Sequence, residues 1–136
     1  LAYLDLAELL FKGNRLQDLV LAEMKPGLTG NAVLAAALKK AKGEGIVGSI
    51  YSHPIGYHGH AAGTIIGLWD KQGGVPGLGD FPLFEDTAHS IELSVRAIAP
   101  EFGNIDVRVP LEQDILFRKG GATWMDQRQT SLILIR

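Results

Sequence analysis

The sequence predicts an α+β domain in which two helices pack on a mostly antiparallel sheet. Three observations carry that expectation. Apolar residues recur at three- and four-residue intervals from Leu6 to Ala41. From Ser90 onward the period falls to two. Helical segments precede strands instead of alternating with them, which is the order of an α+β chain and not of a βαβ one. A length of 136 residues suits one domain, and 46% hydrophobic with 21% charged residues is a globular composition, not a disordered one.

The first helix is read from Leu6, Leu9, Leu10, Leu16, Leu19 and Val20, with Glu8, Lys12, Arg15 and Asp18 on the polar face. Leu1 to Leu10 already carries this pattern. Gly13 costs about 1 kcal/mol relative to Ala in a helix, so Gly13 and Asn14 mark a weak point where the segment could bend or break. Pro26 and Gly27 end it. Thr29 is placed as an N-cap for a second helix over residues 31–42, with Leu34, Leu38 and Ala41 on one stripe. Gly43 and Gly45 close that helix.

Two alternating runs follow. Ile91, Leu93, Val95 and Ala97 share one face of the first, opposite Ser90, Glu92, Ser94 and Arg96. In the second, Val107, Val109 and Leu111 oppose Arg108, Pro110, Glu112 and Asp114. Pro100 to Asn104 is turn chemistry, so the runs form an antiparallel hairpin. Lys119, Gly120 and Gly121 read as a further turn, and Ser131 to Ile135 as a last short strand.

Composition excludes several function classes. With 13 Lys and Arg against 15 Asp and Glu, the formal charge is −2, which leaves no surplus to neutralise nucleic-acid phosphates. Apolar runs as short as Leu132 to Ile135 cannot span a membrane. Without cysteine there is no disulfide, thiolate zinc site or cysteine nucleophile. The glycine-rich run from Gly73 to Gly79 lacks the Gly-Lys-Ser/Thr of a phosphate loop and reads as a long mobile or substrate-covering loop. Ser49, Ser52 and Ser90 lack a nucleophile-elbow context. Trp69 and Trp124 read as packing residues, and Arg128 as an exposed loop arginine able to meet a carboxylate.

His53, His58 and His60 lie within eight positions, and neutral imidazole is a common metal ligand. The helical His-Glu-x-x-His pattern is absent, and loop histidines bonded to backbone are the plain alternative. Glu92 and Glu112 fall on the polar faces of the two hairpin strands. If they lie opposite each other, their repulsion invites a cation between them. The competing expectation is ordinary surface pairing of these carboxylates with Arg96 and Arg108, worth about 0–1 kcal/mol.

The stretch His53-Pro54-Ile55-Gly56-Tyr57-His58-Gly59-His60 is similar to the His-x-x-Gly-x-x-x-His motif of the pita-bread metallopeptidases. That family includes methionine aminopeptidase, aminopeptidase P, prolidase and the metal-independent creatinase. Ser90 to Leu93 resembles the family's Thr-Ile-Glu-Pro-like strand motif, and Val109 to Asp114 its final strand motif. The order His, His, Glu, Glu is kept. The resemblance implies a two-metal hydrolase of the Xaa-Pro aminopeptidase or dipeptidase type acting on a peptide substrate. It makes His53 a metal ligand, Glu92 a ligand and proton shuttle, Glu112 the ligand bridging both ions, and His60 the histidine that meets the substrate. His58 matches no role. Two divalent ions are implied, manganese first, with cobalt, iron or zinc as substitutes. Pro110 stands where prolyl-cleaving relatives often carry Arg, and Arg108 lies two residues earlier.

The family's two metal-binding aspartates lie upstream of such helices. Asp5 and Asp18 lack their strand context. The resemblance therefore implies that residues 1–136 are the C-terminal half of a pita-bread catalytic domain, inactive and weakly metal-binding or metal-free alone. The parent is expected to be a cytoplasmic homodimer with no nucleic-acid or membrane partner. The rival expectation is a non-catalytic peptide-binding module, or a metal-free creatinase-like relative, on the same fold.

Overall fold

The structure is a computed structural model describing residues 2–135. Leu1, at the start of the expected first helix, lies outside the described residues. Helix α1 spans Ala2–Glu23 and α2 spans Gly30–Gly43. Four strands follow: β1 (Val47–Pro54), β2 (Thr87–Ala99), β3 (Ile105–Arg118) and β4 (Gly121–Trp124). They pair in chain order as one antiparallel sheet, with both helices against one face. The α+β expectation holds, and among the described residues no helix is long and apolar enough to cross a membrane.

The core forms where the apolar stripes meet. Leu9, Leu16 and Val20 of α1 and Val33, Leu34 and Ala37 of α2 pack with Ile50, Ile91, Val95, Ile115 and Phe117 of the sheet. Thr29 caps α2 as read from sequence, its hydroxyl accepting from the Ala32 N–H at 3.1 Å. Helix α1 does not break at Gly13. A Cβ there would sit 2.3 Å from Leu111 Cδ1, so glycine lets the helix lie close on β3, and the packing gained outweighs its propensity cost.

Two strand expectations change. Residues 131–135 do not form a strand; Ile133 and Ile135 are 80% and 97% exposed. The β3 edge is taken earlier by β4, through a turn at Lys119 and Gly120 that pairs Arg118 with Gly121. The segment that follows β4 is carried to α1 instead. The Asn14 amide donates to Gln129 O (3.0 Å), while Arg128 Nη1 donates to Asn14 O (3.1 Å) and Asp18 Oδ1 (2.5 Å). Arg128 thus meets a carboxylate, as its sequence reading allowed, but one within the chain.

The second change concerns the histidine-bearing stretch. His53 is not a loop histidine; it is the penultimate residue of β1, which pairs along its length with β2. The glycine-rich segment that follows folds back along β1, where Ser52 and Ile66 exchange both backbone hydrogen bonds (3.0 and 2.9 Å). Gly67 makes the turn away at φ +72°, where a Cβ would lie 2.2 Å from Ile50 O. The run around Gly73 to Gly79 is not a free flap. The Asn31 side chain accepts from Val75 N (2.7 Å) and donates to Asp80 Oδ1 (2.8 Å), pinning it to the start of α2.

Candidate active site

Strand register builds the site on the sheet face opposite the helices. One rung carries Tyr51, Glu92 and Glu112 across β1, β2 and β3; the next carries His53, Ser90 and Asp114. Residues opposite one another share a face, so the two glutamates confront each other across the hairpin. Neither takes an arginine among the described residues. Arg96 pairs with Asp106, and Arg108 Nε donates to Ser94 Oγ (2.9 Å). The ordinary ion pairs weighed in the sequence do not form, because the arginines stand four residues along their strands, roughly 13 Å away.

Instead the rungs are laced diagonally. Ser90 Oγ donates to Glu112 Oε1 (3.0 Å), and His53 Nε2 lies 2.9 Å from Glu92 Oε1. His53 Nδ1 is 2.9 Å from Pro54 O, a carbonyl that can only accept, so the ring hydrogen resides on Nδ1. With its hydrogen there, a neutral ring would point the Nε2 lone pair at a carboxylate. Two acceptors at that distance require a second ring proton or a shared cation. Two ligands held about 2.1 Å from one ion at a right angle would also be about 3.0 Å apart. A backbone carbonyl on the other ring nitrogen is the usual support of a ligating histidine. The donor chemistry of His53 and Glu92 thus fits a divalent ion.

Their number does not close a shell. Among the described residues no three His, Asp or Glu side chains form one metal-holding group. Glu112 lies opposite Glu92 but is held toward Ser90. His60 is exposed and stacks its ring on His53, centroids 3.9 Å apart and planes at 14°. His58 is exposed and meets Tyr57 edge-on.

Two clefts flank the rung, with Tyr51 on the wall of both. An apolar cleft of about 590 Å³ is lined by His53, His60, Ile65, Leu78, Phe81 and Phe84. A polar cleft of about 310 Å³ contains Glu92, Glu112, Ser49, Trp69 and Arg108. Burial, then the charge of Glu92, raises the Tyr51 phenol above its ordinary range, so it stays protonated and able to donate.

Sequence reasoning assigned nothing to His89 or Tyr51. His89 is fully buried on β2; burial, then the neighbouring His53, lowers its pKa to about 4. Thr87 gives its hydroxyl hydrogen to Phe84 O, so its Oγ1 accepts from His89 Nε2 (3.2 Å), and Nδ1 has no partner among the described residues. The signal available was position: His89 falls in phase with Ile91, Leu93 and Val95.

Among solved structures, the chain matches an X-Pro aminopeptidase from Thermotoga maritima MSB8 at a TM-score of 0.60 and 21% identity. The fold relationship is to a peptidase. The match covers 95% of this chain and 32% of that one, so the chain spans about a third of the neighbour's length. No protein-family model and no curated protein sequence matches the chain.

Proposed function

We propose that this chain is the C-terminal half of the pita-bread catalytic domain of a metal-dependent peptidase of the Xaa-Pro aminopeptidase or dipeptidase type. The observation that carries the reading is the 2.9 Å contact of His53 Nε2 with Glu92 Oε1, with a second carboxylate, Glu112, directly opposite Glu92 in the register. The peptidase fold of a solved neighbour supports it. His53, Glu92 and Glu112 would hold the ions, with further oxygen ligands supplied from outside these residues. Divalent cations bound there would polarise the scissile carbonyl and acidify water.

The remaining work falls to side chains of this chain. Glu92, at the centre of the rung, takes and returns the proton that moves from water to the leaving amine. His60 stands at the mouth of the apolar cleft, where a ring N–H can steady the carbonyl oxygen as charge develops on it. The apolar cleft receives a substrate side chain or proline ring and keeps water from it.

Calorimetry with Mn(II) and an Xaa-Pro peptide assay test this together. The 136-residue chain should bind one ion weakly, His53→Ala should abolish that binding, and turnover should be undetectable without the missing ligands. Binding unaffected by His53→Ala, or none at all, would leave the metal-free binding module as the better reading. Robust turnover by the chain alone would overturn the half-site proposal.

A further inference from the structure

Trp69 reads from sequence as a packing residue, but it is 77% exposed. Water against that much indole is unfavourable by about 25 cal/mol per Å² of apolar surface, so the ring gains when another group covers it. Its turn is not loose. Leu68 and Lys71 pair across it, with Lys71 N–H donating to Leu68 O (2.8 Å). Gln72 Nε2 donates to Leu68 O (2.5 Å) and to Ile50 O (2.9 Å), which ties the turn to β1. A ring already held in place loses little freedom when a ligand meets it. Next to the rung of Tyr51, Glu92 and Glu112 the register places a rung of Ser49, Ser94 and Pro110. The two short serines bond each other (2.9 Å), whereas Tyr51, Trp69 and Pro110 put rings on the wall of one cleft of about 310 Å³. A hollow of that size suits one bulky side chain.

We infer that Trp69 is a specificity-determining residue that packs on the third residue of an Xaa-Pro peptide. The substrates are then peptides of three or more residues with a bulky apolar or aromatic group at that position. This rests on the peptidase reading given above and carries it toward an aminopeptidase and away from a dipeptidase. Neighbouring rungs on one face are two residues apart, about 6.7 Å. The glutamate rung stands between the apolar cleft at His53 and the ring-walled cleft under Trp69, so each lies one rung from the place of cleavage. An enzyme that removes one residue leaves a single side chain on the amino side, and the apolar cleft takes it. The carboxyl side then runs toward Trp69. An extended peptide covers about 6.7 Å in two residues, the proline and the one after it. A dipeptide stops short of the indole. An aromatic third residue can stack on that ring or meet it edge-on, whereas alanine covers little of it.

Calorimetry and tryptophan fluorescence on the 136-residue chain test this with three amidated peptides: Ala-Pro-Ala, Ala-Pro-Phe and Phe-Pro-Ala. Ala-Pro-Phe amide should bind about tenfold more tightly than Ala-Pro-Ala amide and move the emission to shorter wavelength as the indole is covered. Trp124 supplies a steady background, because it packs against the core beneath the Arg128 guanidinium, 4.9 Å from its ring. Trp69→Ala changes an exposed side chain, so it should keep the fold, abolish the emission shift and cut the preference to about twofold or less. Trp69→Phe should retain most of the preference. Equal affinity for Ala-Pro-Ala and Ala-Pro-Phe amides, a preference that survives Trp69→Ala, a preference for Phe-Pro-Ala amide instead, or no binding of any peptide would overturn the inference. Mn(II) binding and its dependence on His53 are read separately, so failure here is distinguishable from failure of the peptidase reading.

Discussion

The β2–β3 hairpin and the segment from Ile55 to Asp86 hold the same site from its two sides, by different means. The hairpin is a ladder of thirteen paired positions running from Thr87 with Phe117 to Ala99 with Ile105, and its inner face is buried Ile91, Leu93, Val95 and Ile115. The intervening segment has short bridges and is held by polar side chains acting as backbone. Gln72 copies a strand by taking Ile50 N (2.8 Å) and giving to Ile50 O (2.9 Å), and Asn31 and Asp80 fasten the next turn. Hydrophobic ladders give global stability, whereas single-residue clamps set where a loop wall stands.

Perturbing each side should separate these contributions. Ile91→Ala removes a fully buried side chain from the hairpin and should cost about 2–5 kcal/mol, seen as a lower urea midpoint with a similar m-value. His89 sits where hairpin and β1 meet, and its effect is one of pH. Its folded pKa of about 4 lies below the unfolded 6.5, so the unfolded chain binds the proton first. Stability is full above pH 6.5 and falls by about 3 kcal/mol as pH drops to 4. His89→Gln should flatten that limb of a pH–stability curve; an unchanged slope would assign the acid sensitivity to the carboxylates.

On the loop side the effects should be smaller and local. Gln72→Ala leaves Ile50 N–H and C=O without their side-chain partner and should cost about 1–3 kcal/mol. Its signature is faster hydrogen exchange at Ile50, with hairpin amides little altered. Asp80→Ala removes bonds at an exposed turn and should cost about 1 kcal/mol or less in global stability. If it instead unfolds the chain, the division between ladder and clamp is wrong.

The same division decides what could be read in advance. The hairpin and the facing glutamates were legible because one strand face is buried and the other is not, so the period of two is visible. β1 was not legible: Val47–Pro54 contains Gly48, Ser49, Ser52 and Pro54, and its last three residues are all buried. His53 therefore passed for a loop residue although its place as a candidate ligand was read from its motif. Gly13 looked like a weak point because propensity cannot see Leu111 across the helix–sheet gap. The apolar tail looked like a strand because sequence pattern does not reveal that Arg128 and Gln129 have already tied the chain to α1. Arg96 and Arg108 shared a face with the glutamates, but sharing a face says nothing about the four residues between them.

That tie between the end of the chain and its first helix also fixes an order of events during synthesis. Arg128 and Gln129 reach Asn14 and Asp18 across 110–115 residues of sequence. Within these residues α1 is made before the sheet and its fasteners after it, whereas each strand needs only its neighbour in sequence. The meander can therefore pair as it emerges, and α1 must wait beside it with its polar partners unmet until Arg128 and Gln129 are out. A nascent chain stalled before Trp124 should hold a sheet and a loosely docked helix, open to protease at α1 and closed at the hairpin.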